Sequence, residues 1–172
     1  GKSVDTYQNL TLKTMSTLQW VDMHCPEAQF ILKADDDIWV NLQNLLNFTR
    51  SVQLAQNVIY GHLATNAKVI RNNSSKYHVS NATYAPNQYP TFCRGPAYLF
   101  SRDVTRRLLD TAPGVPFIGL EDVYFTALVA EAAGVKRIHV KEMSADRPQE
   151  LKTCTMAGAF AIHNLSISEK YD

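Results

Sequence analysis

Ala28-Gln29-Phe30-Ile31-Leu32-Lys33-Ala34-Asp35-Asp36-Asp37 is the stretch on which the fold turns. Its continuous apolar centre suits a strand covered on both faces, as in a parallel sheet. Three carboxylates follow at once, and Asn41 to Val52 then places Leu42, Leu45, Leu46 and Phe48 on one side of a helix. Strand, acidic turn and amphipathic helix in that order are the signature of an α/β protein. Upstream, Tyr7, Leu10, Thr14, Leu18 and Val21 recur at three- and four-residue spacing, which predicts an amphipathic helix over 5–24, stopped before Pro26.

Downstream, Val58-Ile59-Tyr60-Gly61 reads as a strand. The stretch 65–91 is rich in Asn, Ser, Tyr and Pro without a stable period, and its length marks it as a functional loop or irregular hairpin. Gly95 to Phe100 resumes strand character, with Ser101 placed to cap a helix through Leu109. Glu121-Asp122 open a helix over Val123 to Ala133, closed by Gly134. Val135 to Val140 is a further strand candidate, 141–155 reads as loop, and Met156 to Leu165 is the last apolar run.

The 172 residues are 45% hydrophobic and 19% charged, enough for one domain with a real core. Seventeen basic against sixteen acidic residues, with no basic block, argue against a nucleic acid or an anionic membrane surface as main partner. No window approaches the ~20 apolar residues of a membrane span. Six Asn-x-Ser/Thr triplets begin at Asn9, Asn47, Asn72, Asn73, Asn81 and Asn164. Chance gives roughly 1.5 in this composition, so the excess favours a chain made in the secretory pathway. Cys25, Cys93 and Cys154 form no Cys-x-x-Cys motif. An oxidising compartment allows one bridge, with Cys25 and Cys93 the candidate pair, and three buried reduced thiols are the alternative.

The sharpest chemical feature is Asp35-Asp36-Asp37. Open α/β sheets bind ligands beyond the carboxyl ends of their strands, where these carboxylates stand. Residues i and i+2 of an extended turn face the same way, which puts Asp35 and Asp37 together. Two such carboxylates favour Mg²⁺ or Mn²⁺ bridging to a diphosphate. The plain alternative is a solvated acidic turn in front of a helix. A calcium loop is disfavoured, because Trp39 and Val40 stand where it needs an Asp or Asn and a Gly. Glu121-Asp122 is a second acidic pair, readable as helix N-terminal carboxylates or as a general base beside a Pro/Gly loop. His163 sits in an apolar run, where a histidine is more often a hydrogen-bonded core residue than a ligand. Walker, dinucleotide-binding, nucleophile-elbow and zincin motifs are absent.

Four motifs occur in order: Asp5 to Thr14; Lys33-Ala34-Asp35-Asp36-Asp37-Ile38-Trp39-Val40; Tyr89-Pro90-Thr91-Phe92-Cys93-Arg94-Gly95-Pro96-Ala97-Tyr98; and Glu121-Asp122-Val123-Tyr124. Together they closely resemble the β-1,3-galactosyltransferase and β-1,3-N-acetylglucosaminyltransferase family, distantly related to the Fringe glycosyltransferases. The resemblance implies a GT-A type α/β nucleotide-sugar-binding fold, with a mixed, mostly parallel sheet flanked by helices. It implies inverting transfer of galactose or N-acetylglucosamine from a UDP-sugar to a 3-hydroxyl of an acceptor glycan. Residues 1–172 would then be one partial catalytic domain, since the family's membrane anchor, stem and first strand-helix units have no counterpart in them. The full-length protein would be a type II Golgi membrane protein with a lumenal catalytic domain.

By motif match, Asp37 is the direct Mn²⁺ ligand and Asp35 lies nearer the ribose or donor sugar, sharing the metal site. Lys33, Asp36 and Trp39 fall in the same donor-binding element. Asp122 stands where the family places its catalytic base, Glu121 beside it is the second catalytic candidate, and His163 resembles the late histidine that completes the metal site. The chain departs from the family at Ala34, where Thr is usual, at Trp39, where Phe is usual, and at Tyr77, where Trp is usual in a Lys-Trp-x-Val-Ser element. A non-catalytic secretory glycan-binding domain that kept the fold is the second reading. A Mg²⁺-dependent phosphohydrolase built on the three aspartates is the third.

Overall fold

The computed structural model describes residues 6–144, 146, 153–163 and 165. Thr11, Thr14, Leu18 and Val21 recur every three or four residues and form the buried face of α1 (Leu10–His24). Tyr7 belongs to a 3₁₀ turn, Tyr7–Asn9, that leads into this helix, and its ring is exposed. Next come β1 (Phe30–Ala34), β2 (Ile38–Val40) and α2 (Leu42–Ser51). Asn41 caps α2, its side-chain oxygen accepting the Asn44 N–H at 3.1 Å. β3 (Val58–Ala64), β4 (Phe92–Ser101) and α3 (Arg102–Thr111) follow. α4 (Glu121–Val123) passes through a π-helical segment, Tyr124–Val129, into α5 (Ala130–Ala132). Gly134 ends that helical run at φ 66°, a left-handed conformation glycine adopts without cost. The remaining elements are β5 (Lys136–His139), β6 (Met143–Ser144), α6 (Thr153–Gly158) and β7 (Ala161–His163).

The main sheet has strand order β1-β4-β3-β5. It is mixed, but the expectation of a mostly parallel sheet is corrected: β4 runs antiparallel to both β1 and β3, and only β5 joins β3 in parallel. The physical reason is that β4 returns between β1 and β3 after the 65–91 connection, so the strand carrying most of the contacts opposes both neighbours. β1 is consequently an outer strand, partly exposed, where full cover on both faces was expected. A second sheet has the order β2-β7-β6, with Ile38 opposite His163. Three further expectations change. Ser101 occupies the cap position of α3 but makes no capping bond; its hydroxyl accepts the Val58 N–H at 3.3 Å. The 141–155 stretch contributes β6 and the start of α6 as well as loop. Cys25, Cys93 and Cys154 are all free thiols, so the candidate Cys25–Cys93 bridge is absent.

Period-2 alternation along β3 and β4 divides the core. Ile59, Tyr98 and Phe100 pack with Leu18, Val104, Leu108 and Phe125 on one face of the sheet. Val58, Tyr60 and Leu99 pack with Leu45, Val140 and Met143 on the other. Two polar ties orient the helices on the first face. Arg102 donates to the Cys25 and Asp22 carbonyls and to the Asp22 carboxylate, joining α3 to α1. Thr11 donates to the Ile118 carbonyl at 3.1 Å, which pins α1 to the segment entering α4.

The 65–91 stretch is irregular but anchored. Isolated bridges pair Lys68 with Gln88 and Ile70 with His78, and Val69, Val79 and Tyr89 reach the core. The Arg71 guanidinium fills the loop, donating to the Val79 carbonyl at 2.8 Å and the Pro86 carbonyl at 2.7 Å. Charge-assisted bonds to carbonyls are among the stronger local constraints available to a loop. Arg71→Ala is therefore expected to open residues 71–86 to limited proteolysis at a protein concentration where the wild type resists; equal resistance would show that the apolar anchors suffice.

Gly61 lies where β3 changes register against β4. A Cβ there would stand 2.9 Å from Cys93 Cβ and 3.2 Å from Tyr98 Cβ, distances that force backbone movement in a close-packed interior. Gly61→Ala is expected to destabilise the fold by about 1–3 kcal/mol. The check is a lower urea midpoint at unchanged slope, and an unaltered midpoint would contradict it.

Candidate functional site

The site is built on the register of β1 against β4. Lys33 pairs with Tyr98, and Ile31 with Phe100, so Lys33 and Tyr98 share the face covered by α1, α3 and α4. The first turn of α4 lies over that pair and brings Glu121 between them. Tyr98 Oη donates to Glu121 Oε1, and Lys33 Nζ stands 3.4 Å from Glu121 Oε2. The same ammonium donates to Asp35 Oδ1 at 2.5 Å and to the Gly95 carbonyl at 2.7 Å. The second acidic motif and the first thus share one cation.

Asp122 follows Glu121 but faces differently. Its Oδ2 accepts the Gly95 N–H at 3.0 Å and its Oδ1 accepts the Val123 N–H at 2.8 Å. A Cβ on Gly95 would lie only 3.4 Å from Oδ2, so the missing side chain lets the carboxylate rest against the strand. Thr126 Oγ1 donates to the Asp122 carbonyl at 2.6 Å and accepts the Cys93 N–H at 2.9 Å, tying the helical run to β4 behind the carboxylate.

The electrostatics follow from burial against pairing. Burial pushes the Asp122 carboxyl above its ordinary value, against the pull of the Val123 and Gly95 N–H groups. Burial raises Glu121 as well, opposed by Lys33 and the Tyr98 hydroxyl. For Lys33, burial alone would depress the ammonium, but Glu121 and Asp35 outweigh it and hold its pKa above the usual lysine value. Tyr98 is driven far up by burial and then by Glu121, so its hydroxyl keeps its proton and acts as a donor.

The three aspartates take different partners. Asp35 pairs with Lys33, Asp36 is exposed, and Asp37 Oδ2 lies 3.2 Å from His163 Nε2. The last contact follows from the pairing of β2 with β7, which sets Ile38 opposite His163 across 125 residues of sequence. Among the described residues no group of three His, Cys, Asp or Glu side chains converges on one point. Asp37 and His163 nevertheless offer a carboxylate oxygen and an imidazole nitrogen side by side, donors of the kind divalent cations take, while Asp35 is occupied by Lys33. Trp39 packs on the small core of Ala159, Ile162 and Leu165.

Three features had no assigned role in the sequence reading. Gly95 was part of a quoted motif only, although a Gly-Pro inside a strand signals close backbone approach. Tyr98 is buried, and a buried tyrosine hydroxyl requires a partner. Tyr7 and Tyr77 meet edge to face at 6.1 Å, with Lys76 Nζ 5.3 Å and 4.9 Å from the two rings. Burial, then Tyr77 and Asp122, raise the Tyr7 hydroxyl above its ordinary value.

Comparison with known proteins bears on this arrangement. The family model described as "Galactosyltransferase" matches residues 2–141. Beta-1,3-galactosyltransferase 5 of Homo sapiens is 38% identical over 133 residues, covering 77% of this chain and 43% of that protein. UDP-GlcNAc:betaGal beta-1,3-N-acetylglucosaminyltransferase 7 of Rattus norvegicus is 35% identical over 133 residues, covering 77% of this chain and 33% of that protein. Beta-1,3-galactosyltransferase 5 of Mus musculus is 31% identical over 160 residues, covering 92% of this chain and 52% of that protein. The chain spans about half or less of the length of these relatives. The matched stretch contains Lys33, Asp35, Asp37, Gly95, Tyr98, Glu121 and Asp122 and stops short of His163, and on its extent the chain belongs to the galactosyltransferase family.

Proposed function

We propose that this chain is the catalytic part of an inverting β-1,3-glycosyltransferase that moves galactose or N-acetylglucosamine from a UDP-sugar to a 3-hydroxyl of an acceptor glycan. The observation that carries the reading is Asp122: a carboxylate held from both oxygens by backbone N–H groups, with its pKa raised by burial, beside the cation that also holds the Asp35 motif. A general base needs a fixed position and a pKa nearer to neutrality than a free carboxylate has.

Asp122 takes the proton of the acceptor hydroxyl while that oxygen bonds to the anomeric carbon on the face opposite UDP. The bond from that carbon to the diphosphate oxygen breaks, its electron pair leaves with UDP, and the configuration inverts. Asp37 and His163 would hold a divalent ion, Mn²⁺ by the family resemblance, with Asp35 and Lys33 on the donor side of the site. When bound, the ion supplies positive charge to the diphosphate as negative charge grows there. The fold is read as GT-A type, with the donor beyond the carboxyl end of β1. Family membership and the six glycosylation triplets support a lumenal Golgi enzyme held by an anchor outside these residues. Among the described residues no helix is long and apolar enough to cross a membrane.

In the full-length protein, Asp122→Asn is expected to cut transfer on the order of 10²–10⁴-fold, with UDP-sugar binding kept within about threefold. Unchanged turnover would remove Asp122 as the base. Because the carboxyl must be ionised to accept a proton and its pKa is raised, kcat/KM should fall with decreasing pH along a limb centred above the ordinary carboxylate value of about 4. A rate flat down to that pH would contradict the assignment. Chelation with EDTA should abolish transfer and added Mn²⁺ restore it, with Asp37→Ala raising the Mn²⁺ concentration needed about tenfold or more. Full activity of the chelated enzyme would overturn the metal reading.

A further inference from the structure

Glu121 presents a problem that the base mechanism leaves open. Its side chain is 7% exposed and both its oxygens are consumed inside the protein, Oε1 by the Tyr98 hydroxyl and Oε2 by Lys33. Being buried, where Asp122 beside it is only partly so, it offers nothing to an acceptor sugar. A buried ion pair is weak evidence for stability, because desolvation cancels much of its attraction and an apolar filler would serve a core as well. Its value has to be sought in what it holds in place.

An ammonium has three N–H donors, and Lys33 faces three acceptors on three different elements: Asp35 in the turn after β1, the Gly95 carbonyl on β4, and Glu121 on α4. The other polar group of Gly95, its N–H, donates to Asp122. The connections close into a ring from Lys33 to Gly95, on to Asp122, back one residue to Glu121, and home to Lys33. Tyr98, three residues along β4 from Gly95, braces the ring through Glu121.

We infer that Tyr98 and Glu121 are positioning residues, forming with Lys33 a buried strut that sets the first turn of α4 over β4 and so fixes Asp122 relative to Asp35. The functional part of the inference rests on the glycosyltransferase reading, in which these carboxylates serve the acceptor and donor sides of one reaction. Neither Tyr98 nor Glu121 touches substrate. Their effect falls on the base through the Gly95 and Val123 amides that hold it.

The test uses Tyr98→Phe, Glu121→Gln and the double variant in the full-length protein. Tyr98→Phe keeps the ring against Phe100 and removes only the hydroxyl, while Glu121→Gln keeps size and removes the charge that holds Lys33, so one variant informs if the other folds poorly. Each single variant should lose about tenfold or more in kcat with KM for the UDP-sugar within about threefold, and the double variant should lose no more than the worse single one. Amide hydrogen exchange at Gly95 and Val123 should quicken about tenfold while Ile59 and Tyr60 in β3 keep wild-type protection. Wild-type exchange at Gly95 and Val123, exchange raised equally throughout β3, or additive losses in kcat would each overturn the strut. If the wild-type protein transfers no sugar, the functional reading fails, and the exchange rates still decide whether the strut positions Asp122.

Discussion

One ammonium group organises this protein's charged centre. Lys33 Nζ sits at the outer end of a sheet where burial disfavours its charge, and it stays charged because carboxylates and a carbonyl from three elements converge on it. An uncompensated charge there would cost several kcal/mol. Satisfying it commits the turn after β1, the middle of β4 and the start of α4 to one mutual arrangement. The acidic motifs, which begin 86 residues apart at Asp35 and Glu121, are neighbours for that reason.

β4 makes this convergence possible. It lies between β1 and β3 and alternates over Tyr98–Phe100, so Tyr98 and Phe100 enter the core under α1, α3 and α4 while Leu99 enters the core under α2. The same alternation delivers the Tyr98 hydroxyl to Glu121. Where β4 must instead approach a carboxylate, the chain has Gly95, followed by a proline whose carbonyl still accepts the Asp35 N–H. Packing and chemistry thus use successive residues of one strand, and a substitution meant for either is felt by both.

The fold was legible in the sequence wherever a period was strong. The buried positions Thr14, Leu18 and Val21 of α1, the strands before the acidic run and at Val58, and the stop at Gly134 all follow from local spacing and cap chemistry, whereas the three-residue strand Ile38–Val40 carries too short a pattern to announce itself. Direction within the sheet was not legible. An apolar run such as Phe30-Ile31-Leu32 is compatible with parallel or antiparallel partners, and the choice was made by β4 returning from the long 65–91 connection. Ser101 shows a related limit: a good capping residue was drawn instead to the Val58 backbone, because β3 and α3 meet there.

Of the candidate site, the sequence by itself determined which residue types were present: two acidic motifs in order, a lysine two residues before one of them, and a late histidine. Residue identity carries chemistry, and no folding is needed to read it. Only the tertiary structure decided which of these groups act together. Lys33 meets Glu121 through strand register, Asp37 meets His163 through the pairing of β2 with β7, and the neighbours Glu121 and Asp122 part company because one is closed in by Tyr98 and Lys33 while the other is held by backbone amides. The physical reason is that hydrogen bonding and desolvation depend on distance in space, which a linear spacing of 88 residues between Lys33 and Glu121, or 126 between Asp37 and His163, does not encode.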